Sequence, residues 1–296
     1  MPKTIDLAAA LAADAGPVVQ HLTLNALVEA YFARNPTADG EYRVRKWLDA
    51  FGDQDAWSLP AEDLERAAEH LLAAGYAPGS VNRDLGVLGS AYRWAKRRRL
   101  CPRGFTSPTL AVRRYPEPLR RVHIDDATLE ALRAGAVASR SPGFGAFVSA
   151  LIDSGARKGE VLERRWRDFD ADDGTLTALE TKTDVPRVLF LQPRTTRLVK
   201  SLRNTRTPPD ALIFPGRFPD KPNSFRTAWK HLTADVGRPD LHLHDLRHAR
   251  AAALLRAGVT SAVAAQALGH APEVLHRRYG HLETRDLREA IERSWT

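Results

Sequence analysis

Apolar residues recur at three- and four-residue intervals through most of this chain, and helix is the expectation that follows. Leu24, Leu27, Val28 and Tyr31 set the pattern after Leu22, and residues 42–51 and 62–73 continue it, the second run closed by Gly75. Ser80 is the expected N-cap of a longer helix reaching about Arg98. Its stripe of Val81, Leu85, Leu88, Tyr92 and Ala95 is spaced four, three, four, three. Residues 1–20 read as a loosely structured arm. Over 103–121 the pattern fades, and Pro102, Pro108, Pro116 and Pro118 alternate with arginines. Proline removes backbone donors and fixes φ, so an extended basic linker is expected there.

A second domain is expected from Val122 onward, with helices over 126–134 and 143–153. Around 174–192, Leu176 and Ala178 alternate with threonines before the β-rich run Val188–Leu191, which predicts a hairpin or small sheet. The remainder reads as helical. Leu246, Ala249, Ala253 and Leu254 share one expected face, with Gly258 as its stop. A short helix from Ser261 ends at Gly269, Pro272 suits the start of another, and 286–293 carries Leu287, Ala290 and Ile291 at helical spacing. The expected fold class is mainly α with a small β-sheet. An all-helical domain covers 21–102, and a mixed α/β domain covers 122–296.

Composition narrows the partners. The chain has 296 residues and a formal charge of +8, from 44 Lys and Arg against 36 Asp and Glu. That excess favours a polyanion without naming one. In the stripe-bearing helix, Arg93, Lys96 and Arg97 lie away from the apolar face, as a solvated basic face or as a polyanion contact. The linker, ending in Arg120 and Arg121, is equally a plain tether or a segment that tracks phosphates. A lone Cys101 excludes an internal disulfide and suits a reducing compartment. The N-terminal Ala/Leu stretch is broken by Asp6 and Asp14, which fits neither a signal peptide nor a membrane span. Cytoplasm or nucleoid is the expected location.

The chemistry concentrates near the far end. Tyr279 precedes His281, His270 follows Leu268 and Gly269, and upstream stands the run His244-Asp245-Leu246-Arg247-His248. A phenol with a pKa of about 10 is a poor nucleophile near neutral pH without help. Imidazoles move protons, and a guanidinium neutralises charge spreading over phosphoryl oxygens. His244 and Arg247 are three apart and share a helix face. Asp245 reads as a helix cap or support. His244 and His248 have the i,i+4 spacing of a zinc pair, but no Glu occupies the zincin position between them and no cysteine cluster exists.

This constellation resembles the tyrosine recombinases, the phage integrase family. Two further stretches carry the resemblance. One is Asp153-Ser154-Gly155-Ala156-Arg157-Lys158-Gly159-Glu160 with Trp166-Arg167-Asp168, similar to the family's first arginine box. The other is Thr181-Lys182-Thr183 with Arg187 and Val188–Leu191, similar to its β-hairpin lysine. The resemblance implies a helical core-binding domain that meets DNA through Arg93, Lys96, Arg97 and the linker arginines Arg120 and Arg121. It also implies a mixed catalytic domain in which Tyr279 is the nucleophile. Arg157 and Arg247 would clamp the phosphate, Lys182 would be the general acid (Lys158 and Lys200 compete), and His244 and His270 would assist.

The implied partners are double-stranded DNA at two sites and three further copies of the chain in a tetramer. Accessory DNA-bending or directionality factors are a possible addition. No cofactor, metal or membrane is implied. The role implied is integration or excision of a mobile element, with a Xer-like dimer resolvase as alternative. A type IB topoisomerase and a DNA-binding protein without chemistry are the rivals from other classes. Two departures stand out. Ala156 replaces a larger apolar residue. Arg164, where leucine is common, marks either a less buried face or a charged partnership.

Overall fold

The computed structural model describes residues 20–35, 40–117, 122–178 and 186–269. The chain divides into two compact units, Met1–Arg120 and Arg121–Thr296. Among the described residues, no helix is long and apolar enough to cross a membrane. Most of the expected arm, and the expected helices after Pro272 and over 286–293, lie outside the described residues.

The first unit is helical: α1 (Leu24–Arg34), α2 (Glu41–Phe51), α3 (Ala61–Ala73) and α4 (Pro78–Arg97). Thr23 caps α1, its hydroxyl accepting from the Ala26 N–H at 3.2 Å. The stripe on α4 is fully buried, with Leu85 and Leu88 against Leu24, Leu27, Trp47 and Leu64. The Tyr92 hydroxyl donates to the Ala56 carbonyl at 3.1 Å, and burial raises its pKa. Asp84, on the same helix and almost fully buried, accepts from Arg43 and Lys46 and so ties α4 to α2.

Two expectations for this unit need correction. Helix α4 starts not behind a Ser80 cap but at Pro78, with Ala77 as N-cap; proline at the first position forfeits only an N–H that has no helical partner. The supposed tether over 103–121 is, through Tyr115, packed on the helices. Val112 and Tyr115 are buried in their core, Phe105 meets Trp57 edge to face and lies tilted beside Tyr92, and Pro108–Leu110 forms a 3-10 turn. Asn82 fastens the end, accepting from the Tyr115 N–H at 3.0 Å and donating to its carbonyl at 2.8 Å. Aromatic and β-branched side chains between the prolines gain more from burial than extension offers.

The second unit begins with α5 (Asp126–Ala138), capped by Asp125, and α6 (Phe144–Ser154). Helix α6 is apolar nearly all round and is buried nearly all round, between Gly143 and Gly155 in the left-handed region. A five-residue α7 (Lys158–Leu162) follows. Then come β1 (Phe169–Asp170), β2 (Thr175–Ala178) and β3 (Arg187–Phe190), antiparallel in the order β1-β2-β3. The hairpin expected over 174–192 is present, with Leu176 opposite Leu189 and Ala178 opposite Arg187. Strand β1 adds a third member.

Helices α8 (Pro193–Ser201), α9 (Arg226–Asp235), α10 (Leu243–Arg256) and α11 (Ser261–Leu268) complete the described unit. Residues 202–225 are not helical as expected. Five prolines there remove donors, and the segment is held by bridges such as Arg165 to Leu212. The face of α10 also differs. Leu246 and Ala249 enter the main core, but Ala251 and Leu255 are buried against α11, while Ala253 and Leu254 are half-buried.

Candidate active site

Helix termini bring two of the expected site residues, Arg157 and Arg247, together. Gly155 ends α6 at φ 61°, which turns the chain so that Arg157 becomes the N-cap of α7. Glu160, one turn on, accepts from the Arg157 backbone N–H at 2.9 Å and from its Nη1 at 2.7 Å. Arg247 sits in the second turn of α10 and is 1% exposed. At the start of that helix Asp245 is a support, as expected, accepting from the His242 N–H at 2.7 Å. Gly269 ends α11 at φ 62° and directs its carbonyl back to the arginines.

Arg157 and Arg247 meet on that carbonyl. Arg157 Nη2 donates to the Gly269 oxygen at 3.1 Å and Arg247 Nη2 to the same oxygen at 3.5 Å, while Arg247 Nη1 donates to the Gly155 oxygen at 2.9 Å. The two expected clamps therefore come from separate elements, with Gly269 next to His270 in the chain. His244 lies on α10 with Arg247 but is exposed; its ring meets His248 edge to face, centroids 4.7 Å apart. His270, Tyr279 and Lys182 fall outside the described residues, as do Arg120 and Arg121. The competing lysines Lys158 and Lys200 are both exposed. In the other unit, Arg93, Lys96 and Arg97 occupy the exposed side of α4, and Arg93 donates to Ser90 at 2.8 Å.

Two functional candidates were in plain view in the chain without an assigned part. Glu160 bridges Arg157 and Arg187, accepting from Arg187 Nη1 at 2.6 Å. Arg187 fills an inward position of β3 and also donates to the Ala267 carbonyl at 2.6 Å. Burial alone would raise the Glu160 carboxyl. Hydrogen bonds from Arg157 and the charges of Arg187 and Arg157 outweigh that and hold it below the usual carboxylate value. Burial lowers Arg187, partly offset by Glu160. The i,i+3 spacing of Arg157 and Glu160 at a helix start was the readable signal; the inward register of Arg187 was not readable without the partner strand.

Of the two departures, Ala156 is buried in the main core of its unit. Arg164 is 5% exposed and pairs with Asp168 at 3.5 Å while donating to the Thr177 carbonyl at 3.1 Å. It is a charged partnership, and the face is not less buried.

Two guanidinium groups, of Arg157 and Arg187, share the Glu160 carboxylate, and Arg157 and Arg247 share the Gly269 carbonyl. A guanidinium is a planar fork of donors, which suits the oxygens of a phosphodiester. A paired-arginine site in a mixed α/β unit with a helical companion unit fits the class of proteins that act on phosphodiesters.

Comparison with known proteins agrees. The model of the phage integrase family matches residues 136–285. The tyrosine recombinase XerC of Xanthomonas campestris pv. campestris (strain B100) is 28% identical over 286 residues, covering 92% of this chain and 84% of that protein. The fold is shared with the Tn1549 transposon integrase solved with transposon right end DNA, at TM-score 0.70 and 16% identity over 93% of this chain and all of that one. It is shared also with the lambda integrase tetramer bound to a Holliday junction, at TM-score 0.61 and 17% identity over 91% and 82%. The chain belongs to the phage integrase family, the tyrosine-type site-specific DNA recombinases.

Proposed function

We propose that this recombinase integrates and excises a mobile element through a 3′-phosphotyrosyl intermediate on Tyr279. The observation that carries the reading is the convergence of Arg157 and Arg247 on the Gly269 carbonyl, one residue before His270. The Tyr279 oxygen attacks the scissile phosphorus and loses its proton with help from His244. The bond from phosphorus to the 5′ oxygen breaks, and that oxygen takes a proton from Lys182. Arg157, Arg247 and His270 hold the non-bridging oxygens as charge builds on them. The 5′ hydroxyl of the partner strand then attacks the phosphotyrosine, restoring a phosphodiester and freeing Tyr279. Bond energy is conserved, so no nucleotide cofactor is needed.

Two exchanges complete recombination in a tetramer on two duplexes. The fold shared with the lambda tetramer on a Holliday junction supports that assembly. The exposed Arg93, Lys96 and Arg97, together with Arg120 and Arg121, are the proposed phosphate contacts of the helical unit. Accessory factors and a cytoplasmic, nucleoid-associated location complete the proposal. A second reading, resolution of chromosome or plasmid dimers, is favoured by the likeness to XerC along 92% of the chain.

Sequencing the DNA recovered covalently bound to the protein in cells tests the proposal. Junctions of a mobile element are expected, whereas a single chromosomal dimer-resolution site supports the second reading. Placed twice in a plasmid, the recovered site should recombine; relaxation of supercoils without recombination would instead indicate a topoisomerase.

A further inference from the structure

Arg187 stands out among the groups the proposed mechanism leaves unused. It is 6% exposed, on an inward position of β3 opposite Ala178, where an aliphatic residue would pack without a desolvation penalty. Its guanidinium instead reaches two separate elements. Nη1 donates to Glu160 on α7 at 2.6 Å, and Nη2 donates to the Ala267 carbonyl in the last turn of α11 at 2.6 Å. Carbonyls at a helix C-terminus carry partial negative charge, so a cation is well placed there. The stem passes directly over Gly269: a β-carbon added to that residue would stand 2.8 Å from both Cδ and Nε of Arg187.

These contacts act on Arg157 from both sides. Glu160 receives Arg157 through its backbone and its side chain, and Gly269 presents the carbonyl that accepts from Arg157 Nη2. We propose that Arg187 is a positioning residue that locks Arg157 into its phosphate-clamping geometry by holding Glu160 and the Gly269 turn at once. It does not touch the reacting atoms. The inference rests on the reading of Arg157 as a phosphate clamp.

The test is a double-mutant cycle with Arg187→Met and Arg157→Ala in the full-length protein, on a nicked substrate carrying the recovered site. Single-turnover formation of the covalent adduct is measured beside half-site binding. Arg187→Met should cleave about tenfold or more slowly with binding nearly unchanged. On the Arg157→Ala background the same change should have an effect of about twofold or less, because the residue it positions is gone. If the methionine variant does not fold, Arg187→Lys carries the same cycle. Lysine keeps the charge but replaces the fork with one nitrogen, which does not bridge Glu160 and Ala267 together. Full multiplication of the two losses, or cleavage by Arg187→Met and Arg187→Lys at the parental rate, overturns the proposal. A parental rate for Arg157→Ala alone would instead sink the clamp reading.

Discussion

Replacing Arg247 with methionine should damage the molecule in two separable ways. Methionine keeps an apolar stem in a site that is 1% exposed and removes the guanidinium. Two of the lost hydrogen bonds join the left-handed ends of two helices, to the Gly155 carbonyl at 2.9 Å and the Gly269 carbonyl at 3.5 Å. A hydrogen bond from a charged donor contributes about 1.5–3 kcal/mol, and the longer of the two, near the geometric limit, adds little. A stability loss of roughly 2–3 kcal/mol follows, or about 4–12 °C in Tm for a unit of this size. Catalysis should fall further, by about 10²–10³ in cleavage rate, the range seen when one preorganised oxyanion donor is removed. Calorimetry reads the first effect, and single-turnover cleavage well below Tm reads the second. Arg247→Lys should recover part of the melting temperature but little cleavage, since a single ammonium does not form the planar fork. A methionine variant melting within about a degree of the parent would remove the staple. Cleavage within about threefold would remove the clamp.

Glu160 gives a pH signature. Its carboxyl lies below the ordinary value when folded, so its contribution to stability is complete above the unfolded pKa of about 4.3 and is lost as pH falls through the folded value. Glu160→Gln should therefore flatten the acid limb of Tm against pH below about pH 4.3, and an unchanged slope would count against the ionised bridge. Gly269→Ala places a β-carbon against Arg187 at a φ of 62°, a conformation that costs a non-glycine residue about 1–2 kcal/mol before the clash is counted. Both Tm and cleavage should fall, and a variant equal to the parent in both would show that the turn has slack. Lys182→Ala should slow attack on an ordinary phosphodiester yet spare a substrate with a 5′-bridging sulfur, whose thiolate leaves without a proton. Failure of sulfur to rescue it, together with rescue of a Lys158 or Lys200 variant, would move the acid elsewhere.

Much of the fold was legible because its signals are local. The buried stripe from Val81 to Ala95 follows from helical spacing, and the all-round burial of α6 follows from its uniform apolarity. Gly269 marked the end of α11 correctly. What failed was what depends on distant partners. The proline-rich stretch after Arg103 looked extended until Val112 and Tyr115 found the helical core. The same ambiguity, read the other way, hid the irregular course of 202–225. At the candidate site, the motifs singled out Arg157 and Arg247. Their meeting on the Gly269 carbonyl was not, because it joins residues 112 and 22 positions apart. The Glu160–Arg187 pair needed the strand register as well.

The central claim is tested most directly by locating the covalent bond. Protein trapped on a nicked substrate is digested with trypsin and nuclease, and the peptide carrying the residual nucleotide is found by mass spectrometry. The mass should lie on Tyr279, and Tyr279→Phe should bind the same DNA without forming an adduct. A nucleotide on any other residue, or an adduct formed by the phenylalanine variant, would contradict the account.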